Sequence, residues 1–326
     1  MQLLALVGGF HPKMPEKELE SLGMEVKESD GRIILGNTQN WHRLKRLGYS
    51  HLLLEYLGKF HPDGELPFDA SEYIKGKFAG LFKKLGFSGN FEKTREKILD
   101  ELDQHIEEAD LKNPDTTIYF MMKGKNIYTG RLIHEFNPSK FFERKSALRP
   151  YSKPISLRPR EARCWVNLSG VERGEKLLDP FCGTGGILIE AGLTGCDIYG
   201  SDSEMEMVSG TKMNLDYYGL EGKVKRCKAQ NLTNRWEESF DGVVTDPPYG
   251  RASKVGGEEI ESTYKESLSE IERILKGGGK CVLGAPEKIS FEEIFNETDT
   301  SFEILNKFKE RVHGNLQREI FVLKKV

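Results

Sequence analysis

Leu177-Leu178-Asp179-Pro180-Phe181-Cys182-Gly183-Thr184-Gly185-Gly186 decides how the second half of this 326-residue chain folds. Leu177–Phe181 is a short apolar run that reads as a buried strand, and Thr184–Leu193 reads as a helix. The glycines between them let the backbone turn sharply and approach a ligand. Outward from this unit the pattern repeats. Strands are predicted at Asp197–Ser201, Val224–Lys228, Asp241–Thr245 and Cys281–Ala285, and helices at Glu161–Gly170, Ser203–Tyr218 and Glu258–Lys276. Strand and helix in alternation predict an α/β fold, a doubly wound parallel sheet of Rossmann-like architecture. Phe302–Glu310 and Arg318–Lys324 read as two closing antiparallel strands.

The loop lies where open α/β sheets bind ligands, at the carboxyl end of a strand. It lacks a G-x-G-x-x-G spacing, and the acid that opens it, Asp179, would repel a pyrophosphate. Asp179 suits a cofactor carrying an ammonium group, and S-adenosylmethionine carries an ammonium and a sulfonium. Pro180, Phe181, Gly183, Thr184 and Gly185 complete the expected cofactor loop. Asp202, at the end of the next strand, is placed to accept both ribose hydroxyls, or else to cap the helix behind it. After the third strand, Gln230 or Asn231 is left to meet the adenine with an amide oxygen. Cys182 has no evident partner base and reads as a packing residue.

The fourth strand runs into Thr245-Asp246-Pro247-Pro248-Tyr249-Gly250-Arg251. Neither proline has an N–H, so the segment continues neither a helix nor a ladder, while its carbonyls still accept. Asp246 and the Pro247 carbonyl can take two hydrogen bonds from one exocyclic amine, and Tyr249 can stack on the ring that carries it. Asp246 is assigned to the cofactor pocket as well. Arg251 reads either as a phosphate contact or as an exposed loop charge.

The first half is organised differently. Residues 1–55 offer strand, helix, strand and helix signals, with Leu3–Val7 apolar, Pro15–Leu22 and Asn40–Leu47 helical and Arg32–Leu35 extended. Residues 56–136 offer two helices, Ser71–Leu85 and Glu92–Ala109, then a hairpin of Thr116–Met122 and Lys125–Leu132. Residues 137–160 are a proline-broken basic linker. Lys140, Arg144, Lys145 and Arg149 stand there among Phe141, Phe142 and Tyr151, a mixture that suits phosphate contacts and base stacking, or simple packing on a neighbour. With the second half from 161 to 326, this predicts four segments.

The formal net charge is -3, which excludes a globally basic nucleic-acid coat but not a local stripe. No pair of the five cysteines has a C-x-x-C spacing, so neither a zinc site nor a disulfide framework is indicated, and a reducing compartment is expected. Met1–Phe10 is too short for a membrane span and has no basic leader, so a cytoplasmic protein is expected.

These motifs together resemble the archaeal tRNA guanine-N2 methyltransferases that modify the guanine at position 10. Asp110-Leu111-Lys112-Asn113-Pro114-Asp115 is similar to the signature of THUMP domains, and Arg158-Pro159-Arg160-Glu161-Ala162-Arg163 is similar to the opening of that family's catalytic domain. Thr245 to Arg251 matches its catalytic motif. The resemblance implies a ferredoxin-like segment, a THUMP domain, a linker and a Rossmann-type methyltransferase domain, in that order. It implies S-adenosylmethionine as donor, tRNA as partner, no membrane and no metal, and N2-methylguanine, often N2,N2-dimethylguanine, as product. Many methyltransferases carry an Asp where this chain has Gln230 and Asn231. A monomer is expected, with room for a small activating protein. Three readings stay open beside it: a guanine-N2 enzyme for another tRNA or ribosomal position, an adenine-N6 enzyme sharing the Asp-Pro-Pro-Tyr motif, and a non-catalytic RNA-binding relict.

Overall fold

The structure is a computed structural model and describes residues 1–8, 11, 13–154, 156–248, 257–313 and 316–326. The chain opens with β1 (Gln2–Val7), α1 (Met14–Ser21), β2 (Met24–Asp30), β3 (Ile33–Thr38), a 3-10 turn over Trp41–Arg46, and β4 (Ser50–Phe60). There follow α2 (Ala70–Tyr73), β5 (Lys77–Phe87), α3 (Phe91–Asp103), β6 (Glu108–Ala109), β7 (Thr116–Gly124) and β8 (Asn126–Glu135). The remainder runs α4 (Ser139–Phe142), α5 (Pro159–Ser169), β9 (Lys176–Asp179), α6 (Gly186–Gly192), β10 (Asp197–Asp202), α7 (Met205–Tyr217), β11 (Gly222–Arg226) and β12 (Phe240–Thr245). Last come α8 (Gly257–Ile274), β13 (Leu275–Pro286), α9 (Phe291–Asn296), β14 (Phe302–His313) and β15 (Leu316–Lys325).

Two compact units result. The first comprises Met1–Phe10, Gly23–Lys45 and Ser50–Asn137. Its eight strands form one sheet, ordered β2-β3-β1-β4-β8-β7-β5-β6. The expected boundary at 55/56 therefore does not separate two folded pieces, because β4 runs across it and pairs with both β1 and β8. Leu4, Leu6, Ile33, Leu35, Leu52 and Leu54, alternating along their strands, share one cluster with Tyr119, Met121 and Tyr128 from β7 and β8.

The helix expected over Ser71–Leu85 is a correction. Only Ala70–Tyr73 is helical, and Lys77–Phe87 is a strand parallel to β7, in register Phe78↔Thr116 to Phe82↔Phe120. Its apolar residues satisfy either period, but the buried β7 ladder offers backbone partners that a helix would leave unmatched. Phe82 stacks on Phe120 with centroids 5.0 Å apart. The second helix also ends early, at Asp103, and Glu108–Ala109 is a short strand instead. Thr94, Ile98 and Leu102 form the buried stripe of that helix. The Asn40–Leu47 helix is a 3-10 turn. In the Asp110–Asp115 motif, Asp110 Oδ1 accepts from the amides of Lys112 (2.8 Å) and Asn113 (3.0 Å), and Asp115 Oδ2 accepts from the Lys77 amide. The motif is thus a self-closed turn tied to the start of β5.

The second unit comprises His11–Leu22, Arg46–Tyr49 and Pro138–Val326. Its seven-stranded sheet is ordered β11-β10-β9-β12-β13-β15-β14, parallel through β13 and antiparallel in its last two strands, as the tail predicts. Residues alternate between two apolar clusters. Leu177, Val244, Val282 and Val322 pack with Trp165 of α5, Leu188 of α6 and Leu215 of α7, while Leu178, Val243, Cys281 and Leu323 pack with Leu268 of α8 and Phe291 of α9. Helices on both faces account for the near-continuous apolar strands. Two short pieces of the first 55 residues belong here because of one buried acid. Glu18 of α1 accepts from the amides of Gly48 (2.7 Å) and Tyr49 (3.2 Å) and from Asn167 Nδ2 (2.7 Å).

Candidate active site

Three strand ends converge on the glycine loop. Asp179 closes β9 and is 1 % exposed. Its Oδ1 accepts from Thr245 Oγ1 at 2.8 Å, at the end of β12, and from the Phe181 amide at 3.1 Å. Burial, with some repulsion from Asp202 and Asp246, pushes its carboxyl up to about 8. Asp202 closes β10. Its Oδ2 accepts from the Gly183 amide and its Oδ1 from the Glu204 amide, each at 3.0 Å, so it braces the loop and closes a turn before α7, whose N-cap is Glu204 and not Asp202. Burial raises this carboxyl too.

Gly183 and Gly185 have φ of +50° and +81°, a region that side chains resist. A Cβ on Gly185 would lie 2.9 Å from Thr211 Cγ2. From α7, Thr211 Oγ1 donates to the Gly183 carbonyl (2.7 Å) and Asn214 Nδ2 to that of Thr184 (2.8 Å). Pro180 and Thr184 are buried and Phe181 is half-buried. Cys182 is buried, and burial pushes its thiol well above the usual range, so it packs and does not attack. A buried acid that prefers a cationic partner, a tight glycine cradle and a second acid one strand over fit S-adenosylmethionine. Gln230 is half-buried, its Nε2 turned to Thr263 Oγ1 of α8 at 3.4 Å, whereas Asn231 is exposed.

Asp246 is the first residue past β12, half-buried, with Pro247 buried and Pro248 exposed behind it. Arg318 Nη1 of β15 donates to Asp246 Oδ2 at 3.0 Å. Nη2 of the same guanidinium reaches Glu310 Oε2 of β14 at 2.6 Å and Glu161 Oε2 of α5 at 3.4 Å. Sequence reasoning did not place Arg318 or Glu161 beside Asp246: no local signal marks Arg318, and Glu161 stands in the Arg158–Arg163 motif without a role assigned to it. Tyr249 and Arg251 lie outside the described residues.

The basic linker needs correction. Arg144 and Arg149 do not stand exposed as an RNA-facing stripe would have them: both are largely buried and bonded within the unit. Arg144 Nε and Nη2 donate to Glu190 Oε1 (2.6 Å) and Oε2 (3.1 Å), and Arg163 Nη2 reaches Glu190 Oε2 at 2.8 Å. Glu190 lies on α6 and is fully buried. Arg149 is 5 % exposed and donates from Nε to the Arg144 carbonyl. Lys140 and Lys145 are exposed, and the Lys145 ammonium lies 4.2 Å from the ring centroid of the exposed Phe142. Among the described residues, no three His, Cys, Asp or Glu side chains gather as a metal site, and no helix is long and apolar enough to cross a membrane.

Residues 146–319 match the family model described as RMKL-like, methyltransferase domain. The chain is 35 % identical to the tRNA (guanine(10)-N2)-dimethyltransferase of Methanothermobacter thermautotrophicus, over 100 % of both chains. It is 33 % identical to the enzyme of that name from Pyrococcus abyssi, over 97 % of each. TrmN from Thermus thermophilus shares the fold, with a TM-score of 0.56 at 21 % identity across the full length of both chains. A methyltransferase sheet with its cofactor loop and Asp-Pro-Pro segment in place, matched end to end by these relatives, makes the chain a member of the tRNA (guanine(10)-N2)-dimethyltransferase family.

Proposed function

We propose that this protein transfers methyl groups from S-adenosylmethionine to N2 of guanine 10 in tRNA, forming N2-methylguanine and then N2,N2-dimethylguanine. The observation that carries this reading is Asp246-Pro247 at the end of β12, one strand from the Asp179 loop and joined to it through Thr245. When bound, S-adenosylmethionine supplies an electrophilic methyl carbon. Asp179 would hold its ammonium and Asp202 its ribose hydroxyls, and half-buried Gln230 rather than the exposed Asn231 would meet the adenine.

Asp246 and the Pro247 carbonyl hold the hydrogens of the guanine amine. That contact draws the nitrogen away from planarity and turns its lone pair toward the methyl. Asp246 would accept the proton that N2 releases as the N–C bond forms and the methyl–sulfur bond of the donor breaks, its electron pair leaving with the sulfur as S-adenosylhomocysteine. Holding the two reacting atoms in line supplies much of the rate. The base must leave its stack to reach the pocket, where Tyr249 would stack on it. The first unit serves as the THUMP-type RNA-binding half, and exposed Lys140 and Lys145 add backbone contacts.

The test is transfer of labelled methyl to an unmodified tRNA transcript and to one with adenine at position 10, with digestion to nucleosides. Label confined to N2-methylated guanine of the first transcript is expected. Asp246→Ala should abolish transfer while cofactor binding, followed by calorimetry, persists. Equal label on both transcripts would move the target, and wild-type turnover in the Asp246 variant would remove the mechanism.

A further inference from the structure

Asp246 stands just past the end of β12, on a segment outside the sheet ladder. Residues 246–248 lie outside regular structure, and two of the three are prolines without an N–H to bond. A carboxylate that must meet a flipped base in line needs to be fixed from a rigid element. Arg318 is that element's side chain. It lies in β15 between β13 and β14, in register with Pro286 on one side and Glu310 on the other. It is 3 % exposed, and its guanidinium lies 4.8 Å from the ring centroid of the fully buried Trp165. Glu310 at 2.6 Å already gives this buried cation a counter-charge, and Glu161, whose carboxyl burial pushes up to about 7, stands at 3.4 Å. A third carboxylate at 3.0 Å is more than charge balance requires.

We propose that Arg318 is a positioning residue for methyl transfer: it ties Asp246 through Oδ2, so that the amine hydrogen is received at Oδ1, and Glu310 and Glu161 hold the guanidinium in that pose. This rests on the reading of Asp246 as the amine acceptor. The cation also favours the carboxylate form of Asp246, the form that can take up a proton released from N2. Around Asp246 stand Asp179 from β9, Arg318 from β15 and Tyr264 from α8, and around Arg318 stand Glu161 and Glu310. Arg318 supplies the positive charge bonded to Asp246, while Arg158 stands 3.4 Å from Glu161. Loss of the Arg318 contact removes a favourable charge from the Asp246 carboxylate, which shifts its protonation to higher pH.

The experiment uses the full chain, S-adenosylmethionine and an unmodified tRNA transcript, with single-turnover rates at saturating cofactor and RNA across pH. Arg318→Met should lower the rate by about 100-fold, the scale of a small misplacement at the reacting centre. Cofactor and tRNA dissociation constants should stay within about threefold, since the contact acts on the transition state and not on ground-state binding. The acid limb of its pH profile should move up by about one unit. Arg318→Lys keeps the charge but not the fork and should fall between, at roughly a tenfold loss, with the acid limb little moved.

A folded Arg318→Met with wild-type rate and acid limb would overturn the proposal. If the two remaining glutamates unfold that variant, Arg318→Met with Glu161→Gln and Glu310→Gln removes the stranded charges, and Arg318→Lys at wild-type rate gives the same refutation. Wild-type protein that makes no N2-methylguanine, or an Asp246→Ala variant that turns over normally, would instead remove the reading on which the proposal rests.

Discussion

Arg144 separates a structural from a nucleic-acid reading of the linker, and its replacement by Met tests the difference. The side chain is 13 % exposed, its partner Glu190 0 %, and two bonds of 2.6 and 3.1 Å join them. Removing one partner of a buried pair costs about 3–5 kcal/mol, because the other charge stays desolvated. Glu190 keeps Arg163 at 2.8 Å, which places the expected loss toward the lower end, about 3 kcal/mol. For a unit of this size that is a fall of roughly 6–12 °C in the melting temperature of the catalytic half. Lys140→Met with Lys145→Met provides the contrast. Both positions are exposed, so stability should move by less than about 0.5 kcal/mol. Binding of tRNA, measured against salt, should lose about 1–2 from its log–log slope, one increment per phosphate contact. Arg144→Met should leave that slope unchanged in the folded protein. If it instead kept wild-type stability and flattened the salt slope, the guanidinium would belong to the RNA and the ion pair with Glu190 would be incidental.

Two further outcomes follow from the cofactor loop. Asp179 is pushed from 3.8 up to about 8, so between those values the folded protein holds a proton that the unfolded chain has released, and stability without ligand falls as pH rises through that window. Asp179→Asn should flatten this slope in denaturant titrations run from about pH 5 to 8. A cationic ammonium selects the ionised form, so calorimetry of wild type should show S-adenosylmethionine binding more tightly with rising pH and releasing protons, both effects vanishing in the Asn variant; a pH-independent affinity would place the ammonium elsewhere. Gly185→Ala should be the more damaging of the two glycine changes, because it adds a contact at 2.9 Å with Thr211 to the strain of a positive φ, whereas a Cβ on Gly183 meets nothing within 4 Å and costs only about 1–2 kcal/mol of backbone strain. Equal melting temperatures for the two variants would show that the cradle has room to spare.

The catalytic half was legible because its signals are local. The central strands β9, β10 and β12 carry short apolar runs, helices α6 and α7 begin within a few residues of their strands, and the acids at 179, 202 and 246 fall at strand ends by position alone. The first half was less so. Lys77–Phe87 carries apolar residues that fit a helix as well as a strand, and only β7, some forty residues further on, decides between them. The sheet that unites β1–β4 with β5–β8 depends on the β4–β8 pairing, which no local signal announces.

Charge was the least legible property, for a physical reason. A run of cations in a linker reads alike whether the guanidiniums meet phosphate or carboxylate, since their partners lie far along the chain: 46 residues from Arg144 to Glu190, and 72 from Asp246 to Arg318. A signal did exist on the acid side. Glu190 stands in Gly186-Ile187-Leu188-Ile189-Glu190-Ala191, an otherwise apolar helix start where an ionised carboxylate cannot be buried alone. Such an acid demands cations from elsewhere, and the nearest surplus is the linker. The linker arginines therefore divide by charge balance: some must answer Glu190, and only the remainder are available to RNA. The same accounting puts Arg318 among three carboxylates of the second unit, one of them the Asp246 that the proposed mechanism needs held still.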